Sequence, residues 1–180
     1  SITIIGSGNV AQHLIKTITK SDALEINQVV ARNPDSLHQI IEKDKIISNI
    51  SLLKDSDLYI ISVSDDAIAS VSNSLFLKDK LVAHTSGSVA MEDLSDANRK
   101  AVFYPLQTLS KKKEVNFKEV PLCIEAQNEA DLKLLNEVAK NISDKVFEVN
   151  SEQRKSLHVA AVFVSNFVNH LYKIGSDICD

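Results

Sequence analysis

The chain has 180 residues, enough for one substantial core, or for one domain and the start of another. Hydrophobic residues make up 44%, charged residues 24%, and the formal net charge is −4, the balance of an ordinary globular protein. That charge excludes a nucleic-acid binder relying on a global basic field, and the longest apolar run, 159–164, excludes a bilayer-spanning segment.

The predicted elements begin with a strand over 1–5 and a helix over 10–20, with Val10, Leu14, Ile15 and Ile18 on one face. A second strand over 26–31 leads into Asn33-Pro34-Asp35-Ser36, where the proline suits the first turn of a second helix. A short third strand falls within 46–50 and a stronger one over 58–63. Ser64-Asp65-Asp66 then provide caps for a helix over 67–75, followed by a strand over 80–84. Further strands are expected over 101–104, 120–125 and 145–149, with a helix over 129–142 between the last two. Strands and helices alternating at this pitch predict an α/β, Rossmann-like fold, a mainly parallel sheet with helices on both faces. Everything from Ser151 onward is helical in character and its middle is apolar almost all round, so it predicts a helix buried on most sides that this chain cannot itself cover. The domains are therefore expected at 1–150 and 151–180, the second being the start of an all-α unit.

Two of the four glycines stand one residue apart, directly between the first strand and the first helix. Gly6 suits the tight turn, Gly8 lets a pyrophosphate approach the backbone, and Ala11 stands where a dinucleotide fingerprint takes Gly or Ala. With Ser7, Asn9 and Val10 they place the amides of a helix N-terminus against phosphate. The second strand ends Ala31-Arg32-Asn33, without the acid that holds an NAD ribose. An arginine there suits the 2′-phosphate of NADP. Ser62, Val63 and Ser64, and Thr85, Ser86 and Gly87, end strands where ligands collect and are expected near ribose and nicotinamide. The Thr85 to Ser88 stretch is equally a turn followed by a cap.

The run GSGNVAQHL, with ARNP, IISVSDDAI, HTSGSV, FYPLQTLS and LHVAAVFVSNFVNHLY, resembles the NADP oxidoreductases that join a Rossmann-like domain to a helical domain, DUF2520. It is more distantly similar to pyrroline-5-carboxylate reductase and the β-hydroxyacid dehydrogenases. The resemblance implies NADP binding and a homodimer formed through the helical domain. In the β-hydroxyacid dehydrogenases a lysine stands four residues before an asparagine on the first long helix; counting back from Asn166 gives Val162. That departure removes the usual proton donor.

On the long helix His158, Ser165 and Asn169 fall on one stripe at 3.6 residues per turn, with Asn166 on its shoulder. One reading makes His158 the proton donor and Asn166 the substrate anchor. The other leaves them satisfying backbone or subunit contacts. Gln107 is a candidate wall of the cleft, His84 is expected to be buried in its strand, and His13 and His38 are expected on the surface. Lys111-Lys112-Lys113 reads as a solvated loop. The five histidines and two cysteines show no metal-ligand spacing, so no metal is expected, and Cys123 and Cys179 read as reduced thiols of a cytoplasmic protein without a signal peptide. These readings predict an NADP-dependent oxidoreductase acting on a small polar substrate, of imine or oxo/hydroxy acid type, where the two domains meet. The alternative is a non-catalytic NADP-binding sensor or scaffold. Prephenate-dehydrogenase-like chemistry takes support from Tyr104-Pro105 but lacks the histidine expected before that proline.

Overall fold

The computed structural model describes residues 1–110 and 113–179, apart from the side chain of Asn166. Lys111 and Lys112 of the basic run therefore lie outside the described residues. The strands are Ile2–Ile5 (β1), Ile26–Val30 (β2), Ile46–Ile47 (β3), Leu58–Ile61 (β4), Leu81–His84 (β5), Arg99–Pro105 (β6), Leu122–Ala126 (β7) and Val146–Glu148 (β8). The helices are Asn9–Ile18 (α1), Ile68–Ser74 (α2), Glu129–Ile142 (α3), Ser151–Val162 (α4) and Val168–Cys179 (α5), with a π turn, Phe163–Phe167, joining the last two. The strands form one sheet of order β3-β2-β1-β4-β5-β6-β7-β8. Neighbours from β3 to β6 run parallel, β7 is antiparallel to β6, and β8 is parallel to β7. The carboxyl ends of β1, β2, β4, β5 and β6 consequently share one edge. The chain changes direction across the sheet between β1 and β4, which is where open α/β sheets place ligands.

Helices cover both faces because the strands are apolar on both. Ala11, Leu14, Ile15 and Ile18 of α1 and Leu135, Ala139 and Ile142 of α3 pack on one side, around Ile4, Ile60 and Phe103. Ile68 of α2, Leu75 and Leu94 pack on the other, around Ile5, Tyr59, Ile61 and Val82. Each of the leucine, isoleucine, valine and phenylalanine side chains among them contributes roughly 1.5–3 kcal/mol on burial. The polar strand residues Thr3 and Gln28 are satisfied locally: Thr3 Oγ1 bonds Ser56 Oγ at 2.8 Å, and Gln28 Nε2 donates to the Leu52 carbonyl at 3.0 Å.

Several expectations need correction. No α-helix follows Pro34; a 3₁₀ turn, Asp35–Leu37, stands in its place. Leu37 and Ile41 bury their side chains through a few tight bonds, which is all the apolar content of that stretch supports before the polar run 42–45. Asp65 and Asp66 cap no helix through their side chains. A 3₁₀ turn, Asp65–Ala67, precedes α2, and the Asp65 carboxylate accepts from Ser88 Oγ at 2.5 Å instead. His13 is buried, its Nε2 3.0 Å from the Ser110 carbonyl oxygen, because the loop after β6 folds down over α1. His38 is exposed, on a turn rather than a helix. The π turn adds a residue to the coil, so the stripe drawn at 3.6 residues per turn does not run on unbroken: Ser165 is half-buried while Asn169 is exposed.

Beyond β8 the long helix leaves the sheet. Its start is capped reciprocally by Asn150 and Gln153. Phe163, Val164, Phe167, Leu171, Tyr172 and Ile178 are exposed, the two phenylalanines stacked with centroids 4.9 Å apart. No helix among the described residues is long and apolar enough to cross a membrane.

Candidate active site

The opening turn is built around Gly6, whose φ is +133°. A Cβ there would stand 2.0 Å from the Ser62 carbonyl oxygen, so the glycine is required by the close approach of the chain leaving β1 to the end of β4. Gly8 is different: a Cβ on it would meet no atom within 4 Å. Packing within the protein does not demand that glycine, and the bare backbone there leaves room for a ligand. Gly8 is the N-cap residue of α1 and no side chain caps the helix, so its first amides face outward from the sheet edge. The turn therefore fits a pyrophosphate. Ser7, Asn9 and Val10 flank it, with the Ser7 carbonyl accepting from Gln12 Nε2 at 2.9 Å.

Around that turn the predicted residues collect on one edge. Ala31 is buried and bonds the Ile47 carbonyl, whereas Arg32 is exposed and has no ion-pair partner among the described residues. Asn33 Oδ1 accepts from the Asp35 amide at 3.2 Å. Ser62 is buried and accepts from Thr85 Oγ1 at 3.2 Å, tying the ends of β4 and β5 together, while Val63 is half-buried and Ser64 exposed. Ser86 Oγ accepts from the Ser88 and Val89 amides at 3.1 Å each, so the stretch after β5 is a hydroxyl-closed turn. Beneath it His84 is fully buried. Burial, with the charge of Arg154 adding, pushes its pKa down to about 4, so the ring is neutral at pH 7. Its Nδ1 accepts from the Ser86 amide at 3.1 Å, leaving the proton on Nε2.

His158 comes to this edge from the far end of the sequence. Its Nδ1 lies 2.9 Å from Tyr104 Oη, and the rings meet edge-on with centroids 5.9 Å apart. Both lean against Gly87, where a Cβ would stand 2.5 Å from His158 Nδ1 and 2.7 Å from Tyr104 Cζ. The phenol is the better donor and the imidazole nitrogen the better acceptor, so the bond runs from Tyr104 O–H to His158 Nδ1. Burial pushes the Tyr104 pKa up to about 12, with the Cys123 thiol and the Asp65 charge adding and Arg154 opposing, so the hydroxyl keeps its proton at neutral pH. Asn166 lies in the π turn, its side chain outside the described residues. Gln107 is exposed on the loop beyond Pro105.

The sequence places Tyr104 at the end of a strand without marking it as a partner of His158, and no motif in it singles out Arg154, which is fully buried and paired with Glu125 of β7. The place of Arg154 one helical turn before His158 was the available signal.

A mainly parallel sheet in this strand order, with a glycine turn where the chain changes direction and hydroxyl-lined strand ends beside it, defines a dinucleotide-binding protein of the dehydrogenase type. Residues 1–86 match the family described as "NADP oxidoreductase coenzyme F420-dependent", and residues 120–180 match the domain of unknown function DUF2520. The "putative NADP oxidoreductase BF3122" of Bacteroides fragilis is 36% identical, with a TM-score of 0.87, the match covering 98% of this chain and 71% of that one. Protein TM1727 of Thermotoga maritima, 24% identical with a TM-score of 0.80 over 99% of this chain and 69% of that one, shares the fold. So does Synechocystis arogenate dehydrogenase, at 16% identity and a TM-score of 0.71, over 91% and 63%. No curated protein matches the chain. The chain belongs to the NADP oxidoreductases that carry a DUF2520 region, and the protein is an oxidoreductase that uses a nicotinamide cofactor, NADP.

Proposed function

We propose that this oxidoreductase acts on a small polar substrate, an imine or an oxo/hydroxy acid, between the carboxyl edge of the sheet and the long helix, with His158 handling the proton. The observation that carries the reading is the 2.9 Å bond from Tyr104 to His158 over Gly87, at the same edge as the glycine turn. When bound, the nicotinamide supplies or takes the hydride. The chain's own residues do the rest. The amides of Ser7 to Val10 hold the pyrophosphate, with Gly6 shaping the turn, and Arg32, with Ala31 and Asn33, meets the 2′-phosphate. Ser62, Val63, Ser64, Thr85, Ser86 and Gly87 orient the ribose and nicotinamide. His158 presents Nε2–H toward the substrate; as that proton passes to the substrate heteroatom, Nδ1 takes the Tyr104 hydroxyl proton, so the imidazole stays neutral and Tyr104 is reprotonated from solvent. Asn166, on the same helix, is assigned to anchoring the substrate from its place in the sequence.

In this reading residues 1–150 form the cofactor domain, and Ser151 begins a helical domain whose exposed apolar face pairs with a second copy. The protein works in the cytoplasm, without nucleic acid or membrane. A histidine–tyrosine pair gives the site a proton path despite Val162 standing where related enzymes carry lysine, which favours catalysis over a sensor or scaffold role. His158→Gln tests this in full-length protein. Its NADPH affinity, followed by fluorescence, is expected to stay unchanged, while NADPH oxidation against a panel of imines and 2- and 3-oxo acids collapses. Weaker NADPH binding with intact turnover would overturn the assignment.

A further inference from the structure

We infer that the buried Arg154–Glu125 pair is a positioning device that sets the register of the long helix on the sheet and so places His158 against Tyr104 over Gly87. The inference rests on the reading of His158 as the proton-handling group and extends it to two residues that never reach the reacting atoms.

Four observations carry it. First, Arg154 has no exposed surface, whereas Glu152, Gln153, Lys155, Ser156 and Leu157 around it are exposed. It is the one fully buried residue of α4 among those described, so the helix has a single deep anchor on the sheet. Second, the anchor is directional. Arg154 Nη1 pairs with Glu125 Oε2, and Nη2 donates to the Val89 carbonyl at 2.5 Å and to Ser151 Oγ at 3.1 Å. A planar fork held at both ends constrains rotation about the helix axis and sliding along it, which an apolar contact would not. Third, Glu125 is itself held. It accepts from the Ser151 amide and hydroxyl at 2.9 Å each, and Ser151 Oγ accepts from the Met91 amide at 3.3 Å. The Glu125 carboxylate thereby joins β7 to the first turn of α4, and Ser151 and Arg154 carry the connection on to the segment after the Ser86 turn. Fourth, His158 follows Arg154 by four residues, so it stands one turn farther along the same helix face. Whatever fixes Arg154 fixes where the imidazole lands.

Net stability is a weak explanation for such a pair, because an apolar replacement of the same volume is often as stable or more so. Geometry is what the ion pair supplies. The same guanidinium faces Tyr104 and His84, where its charge opposes the burial-driven rise at Tyr104 and adds to the fall at His84.

The test uses full-length protein with ¹⁵N-labelled histidine at neutral pH, with and without NADPH, the His158 signals being identified by their loss in His158→Gln. In the unaltered protein the two ring nitrogens are expected to report one tautomer, Nδ1 accepting and Nε2 protonated. Tyr104→Phe supplies the spectrum of a ring released from that bond. Arg154→Met and Glu125→Gln are expected to move the His158 signals toward the released pattern, with NADPH affinity preserved within about twofold. A folded Arg154→Met or Glu125→Gln protein with unaltered His158 signals would overturn the inference. So would loss of the fold in both variants, since the pair would then be a general stabiliser. If the signals move as expected but His158→Gln turns over normally, the positioning stands and the catalytic reading of His158 falls.

Discussion

Replacing Gly87 with alanine tests the junction between sheet and helix at its tightest point. The new methyl would stand 2.5 Å from His158 Nδ1, 2.7 Å from His158 Cγ and 2.7 Å from Tyr104 Cζ, all inside contact distance. The obstructing atoms belong to side chains, one of them half-buried on a helix with a single deep anchor, so they can swing aside. Overpacking then costs about 1 kcal/mol, the low end of its usual range. Moving aside breaks the Tyr104–His158 bond, which adds about 1 kcal/mol. A loss of about 2 kcal/mol corresponds to a fall in Tm of roughly 4–8 °C for a chain of this size. Calorimetry or circular dichroism reads that directly. The sharper measurement is the same substitution in a His158→Ala background, where the ring is gone. There Gly87→Ala should cost less, leaving a coupling of about 1 kcal/mol between the two sites. Equal losses in both backgrounds, or a Gly87→Ala protein melting with the unaltered one, would refute the packing on which the site reading depends. Turnover should be lost together with the Tyr104–His158 bond.

Arg32→Ala should weaken NADPH binding roughly 10- to 100-fold, the loss of a charge-assisted contact worth about 1.5–3 kcal/mol, and leave NADH binding unchanged. Calorimetry showing the same preference between the two cofactors in variant and parent would remove Arg32 from the site. His84 predicts a pH dependence of stability. Its folded pKa, about 4, lies below the ordinary 6.5, so between those values the unfolded chain binds a proton that the folded protein refuses. The stabilisation from the neutral ring is complete above about pH 6.5 and declines as pH falls, with up to about 3 kcal/mol lost by pH 4. Urea midpoints across that window should show the decline in the parent, and a much flatter profile in a folded His84→Gln variant. A parent profile that stays flat from neutrality down to that acid limit would show that His84 is not held neutral.

Local features of the sequence determined most of the elements and the glycine turn. Residues 129–142 form the helix their spacing predicts, because Leu135, Val138, Ala139 and Ile142 recur on one face and Asn128 caps the start. Gly6 announces the turn because the conformational demand falls on that glycine itself, whereas Gly8 leaves its backbone open. The stretch after Pro34 misleads because a proline at a possible first turn records only what a segment can begin, and its apolar residues anchor a single tight turn. Other features were decided only by the assembled sheet. Tyr104 and His158 are 54 residues apart and meet because β6 ends at the edge over which α4 passes. A histidine on a helix carries no local mark of the strand end it will face, and Gly87 gives no sign of being small for their sake until both rings rest on it. His13 misleads and Arg154 passes unmarked for the same reason: polar groups on helices ordinarily face water, and each is buried here by a distant acceptor, the Ser110 carbonyl for one and Glu125 for the other. Periodicity determines which face of an element is apolar, but a hydrogen bond between distant residues exists only once the topology has brought donor and acceptor within 3 Å or so of each other.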